Sequence, residues 1–131
     1  MRRMNLETDF NYRNLTLKDD YEGAVSACFI SAKENQGGRA AALYLHGFVD
    51  YFFHPHVAAQ FLAHDIDFYA LDLRKYGRVL DCHPHPNYCR DIHEYFEEID
   101  LAIECICEQG EVPLYLLGHS TGGLISSLYA A

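Results

Sequence analysis

The chain has 131 residues, half of them hydrophobic, which is enough for one compact core. Acidic residues outnumber basic ones 19 to 10, for a formal net charge of -9. A surface of that sign repels nucleic-acid phosphates and anionic membrane surfaces, so neither is expected as a partner.

No stretch reaches the roughly 18 apolar residues that a membrane span needs. The polar, acidic segment behind Arg2 and Arg3 lacks the apolar centre of a secretory signal. The five cysteines, Cys28, Cys82, Cys89, Cys105 and Cys107, are odd in number and without framework spacing. They read as free thiols in a reducing compartment, and a cytoplasmic protein is expected.

The first twenty residues are polar and weakly patterned. Over residues 24–31 apolar and small side chains alternate, Val25, Ala27, Phe29 and Ser31 against Ala24, Ser26, Cys28 and Ile30, which predicts a strand. A turn follows at Glu34-Asn35-Gln36-Gly37-Gly38. Residues 40–45 are continuously apolar, as in a strand buried on both faces.

Pro55 opens a helix with apolar positions at Val57, Ala58, Phe61 and Leu62. Residues 66–71 predict a third strand, and a loop rich in His, Pro and Gly runs over 72–88. The next helix has one apolar stripe, Ile92, Tyr95, Phe96, Ile99, Ala102, Ile103 and Ile106. Asp91, Glu94, Glu97, Glu98, Glu104 and Glu108 lie off the stripe and read as a solvated face. Gly110 suits the C-terminal cap. Residues 112–117 predict a buried-type strand, and a helix begins after Ser120. This order predicts an α/β fold, a mostly parallel sheet with helices on both faces. Residues 1–131 show no repeat or linker and are expected to form part of a single domain.

Gly118-His119-Ser120-Thr121-Gly122 fits G-x-S-x-G between an apolar strand and a small-residue helix, the setting of a nucleophile elbow. Gly118 and Gly122 leave room where strand and helix meet, and Ser120 projects its hydroxyl from a strained turn. His46-Gly47-Phe48 ends an earlier strand. In acyl transfer an oxyanion develops, and backbone N–H groups aimed at it lower the barrier. Thr121, after the serine, would supply one such N–H and Phe48 the other.

The segments Leu45-His46-Gly47-Phe48, Asp72-Leu73-Arg74-Lys75-Tyr76-Gly77 and Gly118-His119-Ser120-Thr121-Gly122-Gly123 occur in the order and spacing of the α/β-hydrolases. From Ala24 onward the chain resembles the serine aminopeptidase and lysophospholipase branch, which includes monoacylglycerol lipases. The resemblance implies a Ser-Asp-His triad in chain order with Ser120 as nucleophile, and hydrolysis through an acyl-enzyme with no cofactor and no metal. The loop at Asp72 departs from the family's D-x-R-G-x-G-x-S pattern. Lys75 stands for the first glycine and Val79 for the serine, and the loop is expected to be structural.

In that chain order the acid and the histidine follow the serine. The eleven residues after Ser120 contain no Asp, Glu or His. The strand at 112–117, central in this topology, also has no downstream partner, and a bare apolar edge invites self-association. The chain is therefore expected to be the N-terminal half of a longer hydrolase.

Plainer readings stand beside these. Ser120 as an ordinary helix N-cap is one. His119 reads as a packing or orienting residue rather than the base. Cys82, His83, His85 and Cys89 have zinc-ligand chemistry but no structural-site spacing. His54 and His56 flank Pro55, where capping or exposure is expected. Cys105 and Cys107 face different directions on a helix. Asp50 lacks the strand-end position of a triad acid. For Tyr51, Phe52 and Phe53, core packing and an apolar wall for an acyl chain both stay open.

Three functions follow. The first is hydrolysis of a lipid-like carboxylic ester, such as a monoacylglycerol or lysophospholipid. The second is an aminopeptidase-type amide hydrolase. The third is an inactive interaction module that uses its bare sheet edge.

Overall fold

The computed structural model describes residues 3–80 and 83–131. Among these residues ten elements follow in chain order. They are β1 (Phe10–Thr16), β2 (Ser26–Ala32), β3 (Ala40–Leu45), α1 (Pro55–Ala63), β4 (Ile66–Asp72), 3-10 turns at Gly77–Val79 and Ile92–Tyr95, α2 (Phe96–Cys107), β5 (Leu114–Gly118) and α3 (Thr121–Ala130). The five strands form one sheet in the order β1-β2-β4-β3-β5.

The β4-β3-β5 part is parallel, as the apolar runs predict, with Leu45 opposite Leu71 on one side and Gly118 on the other. β2 and β1 join antiparallel, so the sheet is mixed. β4 inserts between β2 and β3, which a reading in chain order does not disclose. β1 lies in the segment that carries no pattern. Only Phe10 and Leu15 of its seven residues are buried, because an edge strand is held by its backbone ladder and leaves both faces partly wet.

Alternating side chains supply a core on each face. Ala27, Phe29, Leu43, Leu45, Tyr69 and Leu71 meet Ile99, Ala102 and Ile106 of α2 and Ile125 of α3. On the other face Ile30, Tyr44, Phe68 and Ala70 meet Ala58 and Ala59 of α1. Burying each large aliphatic side chain is worth about 1.5–3 kcal/mol, so the two clusters hold the helices in place.

β5 differs from its predicted burial. It is the outer strand here, its leucines are half-buried, and Tyr115 is exposed. Leu114 and Leu116 pack toward the α2 and α3 side and Leu117 toward the other face.

The acidic face of α2 requires a correction. Glu98 is fully buried and binds Arg74, with its carboxylate accepting from the Arg74 backbone N–H at 2.9 Å and from Nη2 at 2.8 Å. Glu97 adds a bond to the same guanidinium at 3.0 Å. Glu94 accepts from the Asp91 N–H at 2.8 Å, and Asp91 accepts from His93 N–H at 2.9 Å, a capping box at the start of the helical segment. Helical periodicity places a residue relative to its own helix. It does not show that an arginine from the loop after β4 arrives on that side.

Lys75 explains its departure from the glycine pattern. Its φ is +64°, a left-handed backbone that favours glycine. The side chain is buried against Asp20 at 2.8 Å and Glu22, with Tyr21 beneath it, so these partners offset the strain. Glu108, not Gly110, is the C-terminal cap of α2; Gly110 lies two residues further on, at φ +142°, where the chain turns toward β5.

Candidate active site

The sheet brings the Gly-His-Ser-Thr-Gly segment and the His-Gly turn together because β3 and β5 are paired neighbours, and the two segments leave the same end of them. His119 N–H donates to Leu45 C=O at 3.1 Å, tying the two strand ends. Ser120 is then forced to φ 57°, ψ -119°, a conformation that a side chain rarely adopts. An ordinary N-cap serine has β-region backbone and accepts an amide of the first turn. Ser120 does neither, and its exposed hydroxyl has no hydrogen bond among the described residues.

The flanking glycines are required by contact. A Cβ at Gly118 would stand 2.5 Å from Gly123 Cα. One at Gly122 would stand 2.6 Å from His46 O and closer still to Leu45 O. A Cβ at Gly47 would meet Ser120 Cβ at 3.2 Å and His119 O at 3.1 Å. Turn and elbow therefore touch, backbone to backbone.

At the start of α3, Gly122 N–H turns back to His119 O and Gly123 N–H to Ser120 O. Neither Thr121 N–H nor Phe48 N–H has an acceptor among the described residues. His46 sets the direction of the second. Its buried ring accepts the Leu73 N–H at Nε2, 3.0 Å, so Nδ1 carries the proton and donates to Gly47 O at 2.8 Å. A trans peptide is planar, and fixing Gly47 C=O points Phe48 N–H the opposite way. The Tyr76 ring packs on His46 at 4.6 Å and meets Phe48 at 6.4 Å.

Burial pushes the His46 pKa down, against the pull of nearby Asp72 and Asp50. A second proton would place Nε2–H against Leu73 N–H. The folded pKa lies below the unfolded one, so unfolding takes up a proton as pH falls below about 6.5. Stability is expected to be full above that pH and to fall below it, by about 1.4 kcal/mol per pH unit for one such histidine. Thermal unfolding at pH 5–8 checks this, with the slope reduced in His46→Asn. An unchanged slope in that variant would assign the loss elsewhere.

Asp72, which the loop pattern singles out, is a brace. Its buried carboxylate accepts Phe52 N–H at 3.0 Å and Arg78 Nη1 at 2.7 Å. The three residues after the turn divide. Phe52 is wholly in the core, while Tyr51 and Phe53 are exposed. Tyr51 lines a cleft of about 470 Å³ with Val49, Asp50, Gly77, Arg78, Leu80 and Asn87.

His119 is exposed, with Nδ1 3.7 Å from Asp50. Asp50 also accepts the Gly47 N–H at 3.0 Å, a role its sequence position does not announce beyond its nearness to the turn.

His54 does not cap α1 through its side chain. Its half-buried ring lies on Phe53 at 4.0 Å, and burial pushes its pKa down; His56 is exposed. Cys82 lies outside the described residues. His85 reaches Glu22, and among the described residues no three His, Cys, Asp or Glu side chains converge as a metal site. Cys105 is buried and Cys107 exposed, as their helical spacing predicts.

A mixed sheet flanked by helices, with a strained serine between β5 and α3 and a His-Gly turn beside it, defines an α/β-hydrolase. The chain belongs to the serine aminopeptidase (S33) family, which it matches over residues 36–131. No curated protein sequence matches it.

Among solved structures it is similar to a carboxyl esterase from Bacillus coagulans, at 18% identity and a TM-score of 0.75 over 91% of this chain and 39% of that one. It is similar to a monoglyceride lipase from Saccharomyces cerevisiae, at 21% identity and a TM-score of 0.62 over 90% and 38%. A putative epoxide hydrolase from Pseudomonas aeruginosa matches at 21% identity and a TM-score of 0.64 over 98% and 39%. The chain thus spans about two-fifths of the length of these hydrolases. Among the described residues no helix is long and apolar enough to cross a membrane.

Proposed function

We propose that the protein is a serine hydrolase of carboxylic esters that works through an acyl-enzyme on Ser120. The observation that carries this reading is the backbone of Ser120, held at φ 57° with a free hydroxyl at the start of α3. Ser120 Oγ attacks the ester carbonyl and loses its proton to a base. Phe48 and Thr121 N–H groups hold the oxyanion, the alcohol leaves, and water then releases the acid. Serine needs a base to be a nucleophile. His46 has both ring nitrogens engaged and is not that base.

A lipid-like substrate is supported by the exposed Phe48, Val49, Tyr51 and Phe53 around the turn and by the cleft beside them. The likeness to a carboxyl esterase and a monoglyceride lipase points the same way. The unpaired Cys28, Cys89, Cys105 and Cys107 suit a cytoplasmic setting.

A fluorophosphonate probe on the full-length protein is expected to label Ser120, located by peptide mass spectrometry. A panel of p-nitrophenyl esters against aminoacyl p-nitroanilides is expected to favour medium or long acyl esters. A preference for the anilides would move the protein to the peptidase reading with the same nucleophile.

A further inference from the structure

We propose that Asp50 is the positioning residue for the Phe48 amide, an inference that rests on the serine-hydrolase reading above. The apex of the turn is exposed. Phe48 and Val49 are 63% and 69% exposed, and Val49 sits at φ 50°, which β-branched residues rarely adopt. A strained apex persists only where its neighbours over-determine it.

The two peptide planes that meet at Gly47 are held by different side chains. His46 Nδ1–H donates to Gly47 C=O at 2.8 Å and sets the plane that carries Phe48 N–H. Asp50 Oδ2 accepts Gly47 N–H at 3.0 Å and sets the plane before it. Glycine resists rotation between these planes less than any other residue, so the second bond holds the register that the first one uses. A side chain here would also crowd the elbow, with a Cβ 3.1 Å from His119 O and 3.2 Å from Ser120 Cβ.

The same Asp50 oxygen stands 3.7 Å from Nδ1 of His119, the residue before Ser120. Asp50 thus spans the turn and the elbow, the two segments that must stay in register around one carbonyl oxygen. It acts through Gly47 and touches no reacting atom.

The test is kcat and KM on p-nitrophenyl butyrate for the full-length protein and its Asp50→Ala and Asp50→Asn variants, with thermal unfolding of each. Asp50→Ala is expected to lower kcat about 10–100-fold with KM and Tm little changed, the scale of a misplaced catalytic group. Asp50→Asn keeps an oxygen that accepts Gly47 N–H and is expected to restore kcat to within about 3-fold. Equal rates in all three proteins overturn the proposal. Equal losses in Ala and Asn assign the effect to charge and overturn it as well, as does a loss of kcat that tracks Tm. Where Asp50→Ala does not fold, Asp50→Leu, close in volume, takes its place against Asn. Failure of the underlying reading is separate, because it appears as an unlabelled Ser120 in the unaltered protein.

Discussion

Alanine at position 120 is expected to abolish fluorophosphonate labelling and to lower ester hydrolysis by about a million-fold, the scale found when a serine nucleophile is removed. Fold stability is expected to stay the same. Ser120 is exposed and makes no side-chain cap bond, so alanine loses no contact and keeps the strained backbone at φ 57°.

Glycine at the same position separates catalysis from strain. A side chain in this region costs about 1–3 kcal/mol, and the added freedom of glycine in the unfolded chain takes back under about 1. Ser120→Gly is therefore expected to be inactive and more stable, with Tm raised by a few degrees. Labelling that survives Ser120→Ala removes Ser120 from its role. A Ser120→Gly variant less stable than Ser120→Ala means the elbow carries no strain for glycine to release.

The second large effect concerns folding. Gly122→Ala puts a methyl against the Leu45 and His46 carbonyls, and both are backbone at the end of a central strand. Neither side can yield without moving β3 or α3. Overpacking of this kind costs about 3 kcal/mol, about 10 °C of Tm in a chain of this size. Gly123 is the control. A Cβ there would meet nothing closer than Gly118 O, at 3.7 Å, and the residue lies inside α3. Alanine there removes the helix penalty of glycine and is expected to be neutral or stabilising by up to about 1 kcal/mol. Differential scanning fluorimetry of the two variants decides the matter. Equal stabilities would mean that elbow and turn do not touch at Gly122.

The contrast also shows how this fold makes its site. Packing draws Gly122 onto the strand-end carbonyls, which pulls the start of α3 against the His-Gly turn and leaves Ser120 no relaxed backbone. Removing the close contact would therefore disturb the chemistry along with the fold.

Much of the molecule is legible in the sequence, because the features that disclose it are local. A continuous apolar run such as Ala40–Leu45 has few places to go but the middle of a sheet. The small residues of the elbow mark where strand and helix cross, and Gly118 and Gly122 are in contact as that spacing implies. The dipeptide His46-Gly47 falls at a strand end, beside Ser120, as the motif order suggests.

Only the tertiary structure decided the rest, where the partner of a residue is distant in the chain. β1 carries no alternation because its pairing with β2 is made by backbone, which every sequence has. Glu98 sits off the apolar stripe of α2, yet Arg74 comes to it from 24 residues away and makes its burial tolerable. Asp50 looks like any loop acid until the fold aims it at Gly47 and His119. Periodicity and local spacing report on a residue's own element, and long-range partners are set by how the elements pack.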